Sequence, residues 1–187
     1  MGRWEPNAHG RLEQAAIELY IERGFEQTTV AEIAKVAGLT ERTFFRYFVD
    51  KREVLFWGAG ALQELLVKTV LDAPRSEGPI SVISAAIQAA GAVFQERREG
   101  VLLRQRVIGA NPELQERELI KLAFLATALA DALRKRGVKE PSASLSAEAG
   151  IAVLKIAFQR WVREAGSHDL GQLIRDLFAE LKTVTES

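Results

Sequence analysis

Residues 29–48, TVAEIAKVAGLTERTFFRYF, contain two short helical patterns, each opened by a threonine, with a single glycine at their junction. That layout constrains the fold more tightly than any other stretch of the chain. Thr29 can accept a hydrogen bond from an amide that has no partner inside its helix, and Glu32 can reach back to the Thr29 amide, which makes a capping box. Val30, Ile33, Ala34 and Ala37 then recur at helical spacing. Gly38 stands where a left-handed residue ends a helix and turns the chain. Thr40 is placed to cap the second helix. At about 100° per residue, Phe44, Phe45 and Phe48 fall within an arc of about 100°, so all three rings are expected in the core. Arg42, Thr43, Arg46 and Tyr47 take the opposite arc.

Taken singly, two arginines four apart mark a solvated helix face, and three phenylalanines mark a core. Joined at this spacing, they predict a helix-turn-helix. Its second helix suits the major groove of DNA, where arginine pairs bidentately with guanine and shorter polar groups meet bases or phosphates.

Over residues 10 to 56 the chain resembles the DNA-binding domain of TetR-type transcriptional regulators. The likeness rests on Ala15-Ala16 and Leu19, on Gly24-Phe25, Thr28-Thr29 and Gly38, and on Tyr47-Phe48 followed by Lys51. The resemblance implies an all-α fold of about nine helices. A three-helix DNA-binding domain with a helix-turn-helix would occupy residues 1–50, and a larger effector-binding and dimerisation domain residues 51–187. Position by position, it implies phosphate contacts from Thr29, Tyr47 and Lys51 and base contacts from Arg42, Thr43 and Arg46, with Thr28 and Thr40 also among the DNA-binding residues. It further implies a homodimer on palindromic double-stranded DNA, acting by default as a repressor and released by a small-molecule effector.

Three positions depart from the family pattern. Arg42 stands where many relatives carry a small residue, Phe45 where tyrosine is common, and Val49-Asp50 where Pro-Ser or Pro-Asn is frequent. The operator preference of relatives therefore does not transfer. Asp50 is expected to cap the next helix, with Glu53 completing a second box and Lys51 left exposed near the DNA.

Charge bears directly on this reading. Lys and Arg total 25 against 25 Asp and Glu, and within residues 1–57 eight basic residues face nine acidic ones. Positive charge is local, at Arg42, Arg46, Lys51 and Arg52. Phosphates neutralised at the interface, rather than net charge, set backbone affinity, so specific binding survives while nonspecific binding is expected to be weak. The absence of cysteine excludes disulfides and thiolate chemistry. No uninterrupted apolar run reaches about 18 residues and the first ten residues lack a signal-like apolar stretch, so a cytoplasmic protein without a membrane partner is expected.

The remainder reads as helices. Leu12, Ala15, Ala16, Leu19 and Tyr20 make the inward face of the first helix, ended by Gly24. A long fourth helix is expected after Asp50, with Val54, Leu55, Ala61, Leu62, Leu65, Leu66 and Val70 inward and Gly58 and Gly60 as weak points. PRSEGP, residues 74–79, reads as a loop. Helices are then expected over about 80–98, 101–108, 112–136 and 145–165, and after Asp169. Asn111 should cap the seventh, Leu119, Leu122, Ala126, Leu129 and Leu133 should line it, and Gly137 should close it.

The last two helices carry the expected dimer interface: Leu154, Phe158, Trp161, Leu170, Leu173, Ile174, Leu177, Phe178 and Leu181. The stripe on the final helix follows three-four spacing, for which packing within one chain is the alternative. Candidate effector contacts are Phe94, Phe124, Phe158 and Trp161, with Arg104, Gln105 and Gln159 as polar partners, a set suited to an uncharged or anionic, largely apolar ligand. His9 and His168 stand beside helix starts in polar contexts, and no HExxH, GxSxG, Walker or dinucleotide motif appears, so neither an enzyme nor a cofactor or metal is expected. The nearest rival is a helical protein-binding or lipid-binding module that does not bind DNA.

Overall fold

The computed structural model describes residues 7–164 and 169–186, and the expectations for His168 and for a helix end at Ala165 lie outside them. Regular structure among the described residues is helical throughout: α1 Ala8–Arg23, α2 Val30–Val36, α3 Glu41–Tyr47, a 3-10 turn Glu53–Phe56, α4 Ala59–Asp72, α5 Pro79–Glu96, α6 Arg98–Gly109, α7 Pro112–Lys135, α8 Ser142–Arg163 and α9 Leu170–Glu186. The chain forms two compact units. One holds residues up to Gly58 together with Glu99–Glu118, and the other holds Ala59–Arg98 together with the chain from Leu119 onward.

In the first unit, α1 turns Leu12, Ala15, Ala16, Leu19 and Tyr20 inward, as its periodicity predicts. They meet Phe25, Ile33, Phe44, Phe48, the apolar side chains of the 3-10 turn, and Val107, Ile108 and Leu114 from α6 and α7. Each fully buried Leu, Ile or Phe removes enough apolar area from water to stabilise the unit by about 1.5–3 kcal/mol. Gly24 ends α1 at φ 90°, where its amide donates to the Tyr20 carbonyl at 3.0 Å.

The long helix expected after Asp50 is broken. Asp50 does cap, its Oδ1 accepting from the amides of Arg52 at 2.8 Å and Glu53 at 3.2 Å. What it opens is a single 3-10 turn whose Val54, Leu55 and Phe56 sink into the core. Helix resumes at Ala59, after Gly58, whose backbone freedom makes helix costly there. Ala61, expected inward, is exposed. The stretch Glu53–Asp72 is also long and apolar enough to cross a bilayer by length and composition. Its Val54, Leu55, Phe56, Leu66 and Val70 are instead covered by protein.

In the second unit, α5 packs against α4, α8 and α9. Val82, Ile83, Ala86, Ile87 and Ala90 form its buried face, and two glycines permit the close approaches. A Cβ at Gly91 would stand 2.6 Å from Ile174 Cδ1, and one at Gly150 would stand 2.2 Å from Ile83 Cγ2. At the other end of the unit Gly137, at φ 92°, follows α7, as expected. Arg136 donates to the carbonyls of Ala73 at 2.6 Å and Pro74 at 2.7 Å.

Two expectations for α7 need correction. Asn111 does precede Pro112 and its carbonyl accepts from the Gln115 amide at 3.1 Å, the first bond of α7, but its side-chain amide donates to the Val107 carbonyl at 2.6 Å and so closes α6 instead of capping α7. Leu119 is 54% exposed, because the packed face of the helix runs through Leu125, Ala126, Leu129 and Leu133.

Candidate nucleic-acid interface

Each helix of the motif is started by its threonine. The Thr29 hydroxyl accepts from the Glu32 amide at 3.3 Å while Glu32 Oε2 accepts from the Thr29 amide at 2.9 Å and from its hydroxyl at 2.8 Å, the full capping box. These bonds hold the Glu32 carboxyl below the ordinary glutamate range, the Thr29 amide first and its hydroxyl second. Gly38, at φ 66°, makes the turn, and Thr40 caps α3 by accepting from the Thr43 amide at 3.2 Å. The Thr40 and Thr43 hydroxyls lie 3.0 Å apart.

Phe44 and Phe48 set the roll of α3. Both are buried, with ring centroids 5.3 Å apart, and this leaves Arg42 and Arg46 exposed on the other side. Arg46 is steadied by its neighbour: its guanidinium lies 5.1 Å from the Tyr47 ring centroid, and Nη2 donates to the phenol oxygen at 3.4 Å. Tyr47 is half-buried against the core. Two guanidiniums, a hydroxyl and a phenol therefore share the outer side of a helix whose inner side is fixed.

One sequence-level placement is overturned, and two other side chains are engaged within the protein. Phe45, expected in the core, is 55% exposed, since Phe44 and Phe48 fill the available space and a residue at the far edge of a 100° arc is left outside. Thr28 is 1% exposed and its hydroxyl donates to the Gly24 carbonyl at 2.9 Å, so it braces the loop between α1 and α2. Lys51 is half-exposed and reaches the same loop. Its ammonium donates to the carbonyls of Phe25 at 2.8 Å, Thr28 at 3.0 Å and Glu26 at 3.3 Å, and lies 4.4 Å from the Phe25 ring centroid. With three carbonyls around it, the ammonium fastens that loop.

His9 gave no such signal in the sequence. Its ring stacks at 3.8 Å on Trp57 and approaches Phe48 at 5.1 Å, and burial pulls the imidazole below its ordinary pKa. A ring packed among aromatics in this way is a structural element of this domain.

The candidate effector residues are divided between the two units. Phe94, Phe158 and Trp161 form one chain of rings, at 5.7 and 5.8 Å. Trp161 is completely buried, donates to Gln95 Oε1 at 3.0 Å and is covered by the Arg98 guanidinium at 4.5 Å, which makes it core. Phe124 and Gln159 are exposed. Arg104 and Gln105 belong to the first unit, where Arg104 donates to the Leu55 carbonyl at 2.6 Å and pairs with Glu118 at 3.1 Å. A groove of about 760 Å³ in the second unit lies instead between α5, α8 and α9, bordered by Ile80, Ser84, Gln88, Leu145 and Phe178.

Of the expected dimer residues, Leu154, Trp161, Leu170, Leu173 and Ile174 are buried within the single chain against its own helices. Phe158, Leu177, Phe178 and Leu181 are half-buried. Sequence periodicity finds such stripes without telling which neighbour covers them. Left outward on α8 are Leu145, Ala152 and Ile156.

Residues 13–56 match the family described as bacterial regulatory proteins, tetR family, and residues 77–186 match the MftR C-terminal domain. The chain is 25% identical to the putative mycofactocin biosynthesis transcriptional regulator MftR of Mycobacterium tuberculosis over 168 residues, 88% of this chain and 84% of that protein. It is 36% identical over 92 residues to the transcriptional regulator TcmR of Streptomyces glaucescens, a match spanning 49% of this chain and only 41% of TcmR. Its fold is similar to that of FadR from Thermus thermophilus, a TetR-family repressor crystallised with lauroyl-CoA, at 22% identity and a TM-score of 0.55 over 91% of each chain. Capped helices around a left-handed glycine, arginines held outward by buried phenylalanines and a matching second helical domain together place this chain in the TetR family of DNA-binding transcriptional regulators, with an MftR-type C-terminal domain.

Proposed function

We propose that this regulator is a repressor that binds a palindromic operator as a homodimer and is released by a fatty acyl thioester of coenzyme A. The observation that carries the operator reading is the outward presentation of Arg42 and Arg46 on a helix pinned by Phe44 and Phe48. Arg42, Thr43 and Arg46 read bases, while Thr29, Thr40 and Tyr47 meet phosphate or frame the helix ends. Two copies are needed because one seven-residue helix reads only a half-site, and half-sites one helical turn apart demand a twofold protein. The outward apolar residues of α8, together with half-buried Phe178 and Leu181 of α9, supply surface for the second copy.

The effector class is supported by the lauroyl-CoA bound to Thermus thermophilus FadR and by the half-buried rings of Phe94 and Phe158, which suit an apolar tail. Such a ligand releases DNA only through its difference in affinity between the DNA-competent arrangement and another. Fluorescence anisotropy of the full chain on duplex flanking its own gene tests this. Sub-micromolar, salt-sensitive binding at two protomers per duplex, weakened roughly 5- to 150-fold by lauroyl-CoA, is expected. Binding indifferent to lauroyl-CoA rejects the effector, and absence of binding rejects the operator reading.

A further inference from the structure

We infer that Phe45 is a specificity-determining residue that reads the C5-methyl group of a thymine in the operator, an inference that rests on the operator reading above. The starting point is an apolar ring in the wrong place for a core. Phe45 is 55% exposed on a helix whose two other phenylalanines are 0% and 3% exposed, so the core is complete without it.

Its neighbours define what it faces. At about 100° per residue, Phe45 lies about 60° around the helix from Arg42 and about 100° from Arg46. It stands on the flank of the helix, at those same angles from Phe48 and Phe44, and its exposure is what makes it accessible beside the two guanidiniums. Phe44 meets its ring edge-on, with centroids 5.5 Å apart and planes at 82°.

The chemistry then selects the partner. A phenyl ring has no hydrogen-bonding group, so it cannot contribute to phosphate contacts as a tyrosine would, and it cannot distinguish donor from acceptor on a base edge. In the major groove the one apolar feature that identifies a base is the thymine methyl. An exposed phenyl flanked by arginines fits a site in which guanine and thymine lie close together, the arginine pairing with the guanine N7 and O6 edge and the ring covering the adjacent methyl.

The test uses the full-length protein on the operator it selects from a random duplex library. Each thymine of one half-site is replaced in turn by deoxyuridine, which removes only the methyl. The expected result is one position per half-site at which the replacement weakens binding about fourfold, the yield of one buried carbon. Phe45→Ala should bind more weakly and lose that fourfold sensitivity, while Phe45→Leu should retain part of it. Circular dichroism melts of both variants should match the parent, because the ring lies outside the core. Thymine positions that are all indifferent to the methyl, or a Phe45→Ala variant with unchanged sensitivity, overturn the inference while leaving the operator reading intact. Selection of no duplex overturns both.

Discussion

The ammonium of Lys51 donates a 3.0 Å hydrogen bond to the carbonyl of Thr28, the residue immediately before the N-cap of α2. A cation from the segment after α3 therefore fixes the point at which the helix-turn-helix begins.

Replacing Lys51 should consequently behave as a folding defect. Lys51→Met removes bonds to three carbonyls while keeping much of the stem, and is expected to destabilise the protein by about 1–3 kcal/mol. The salt slope of DNA binding should stay the same. A phosphate contact would instead lower that slope by about 1 with little change in melting, so chemical denaturation and salt titration together decide the matter.

Thr29→Val should uncap α2 at a cost of about 1 kcal/mol. It should also change the acid limb of stability. The Glu32 pKa is lowered by folding, so the stability linked to it is fully present above about pH 4.3, the unfolded glutamate value, and is lost as pH falls through the folded value. Without the Thr29 hydroxyl this loss should shrink. Urea melts from pH 3 to pH 6 would reveal parallel curves if the box contributes nothing.

Arg46→Ala should leave the melting temperature unchanged, since the side chain is exposed and touches only Tyr47 among the described contacts. Operator affinity should fall by about 1–3 kcal/mol with relaxed preference at one position. Uniform weakening on every duplex would reassign Arg46 to phosphate.

Gly150→Ala should destabilise where most helical Gly→Ala changes stabilise. The new methyl would lie 2.2 Å from Ile83 Cγ2, and overpacking of this kind costs about 1–3 kcal/mol, more than the roughly 1 kcal/mol gained in helix propensity. Adding Ile83→Ala should recover part of the loss in a double-mutant cycle, and strict additivity would show that the two sites do not meet.

Ile156→Glu tests the twofold assembly. Ile156 is 47% exposed, so a charge there should be tolerated by the single chain, yet it should shift sedimentation toward monomer and weaken operator binding. A variant that remains a dimer would place the interface elsewhere.

What the sequence disclosed was local chemistry. The capping box of Thr29 and Glu32, the left-handed Gly38 and the closing Gly137 all depend on residues within a few positions of one another, and all stand as expected. Placement that depends on distant chain was hidden. Lys51 is bound by carbonyls more than twenty residues away, and nothing in the KREV stretch signals it. Phe45 illustrates a different limit: periodicity defines an arc, but which edge of the arc is packed depends on how α3 rests on its neighbours. The α9 stripe shows the same ambiguity, since Leu170, Leu173 and Ile174 turn out to be covered by their own chain. Asn111 beside Pro112 stands at the cap position, yet its side chain serves the preceding helix, whose Val107 carbonyl lies within its reach.

Val107, Ile108 and Leu114 complete the core around α1 although they lie well downstream of it. Splicing a foreign sensor directly after Gly58 would thus strip three buried side chains from the reading head and leave an apolar scar. Hybrid regulators built on this scaffold must carry the 99–118 segment with the head, so sensor swapping here is a matter of grafting a discontinuous module.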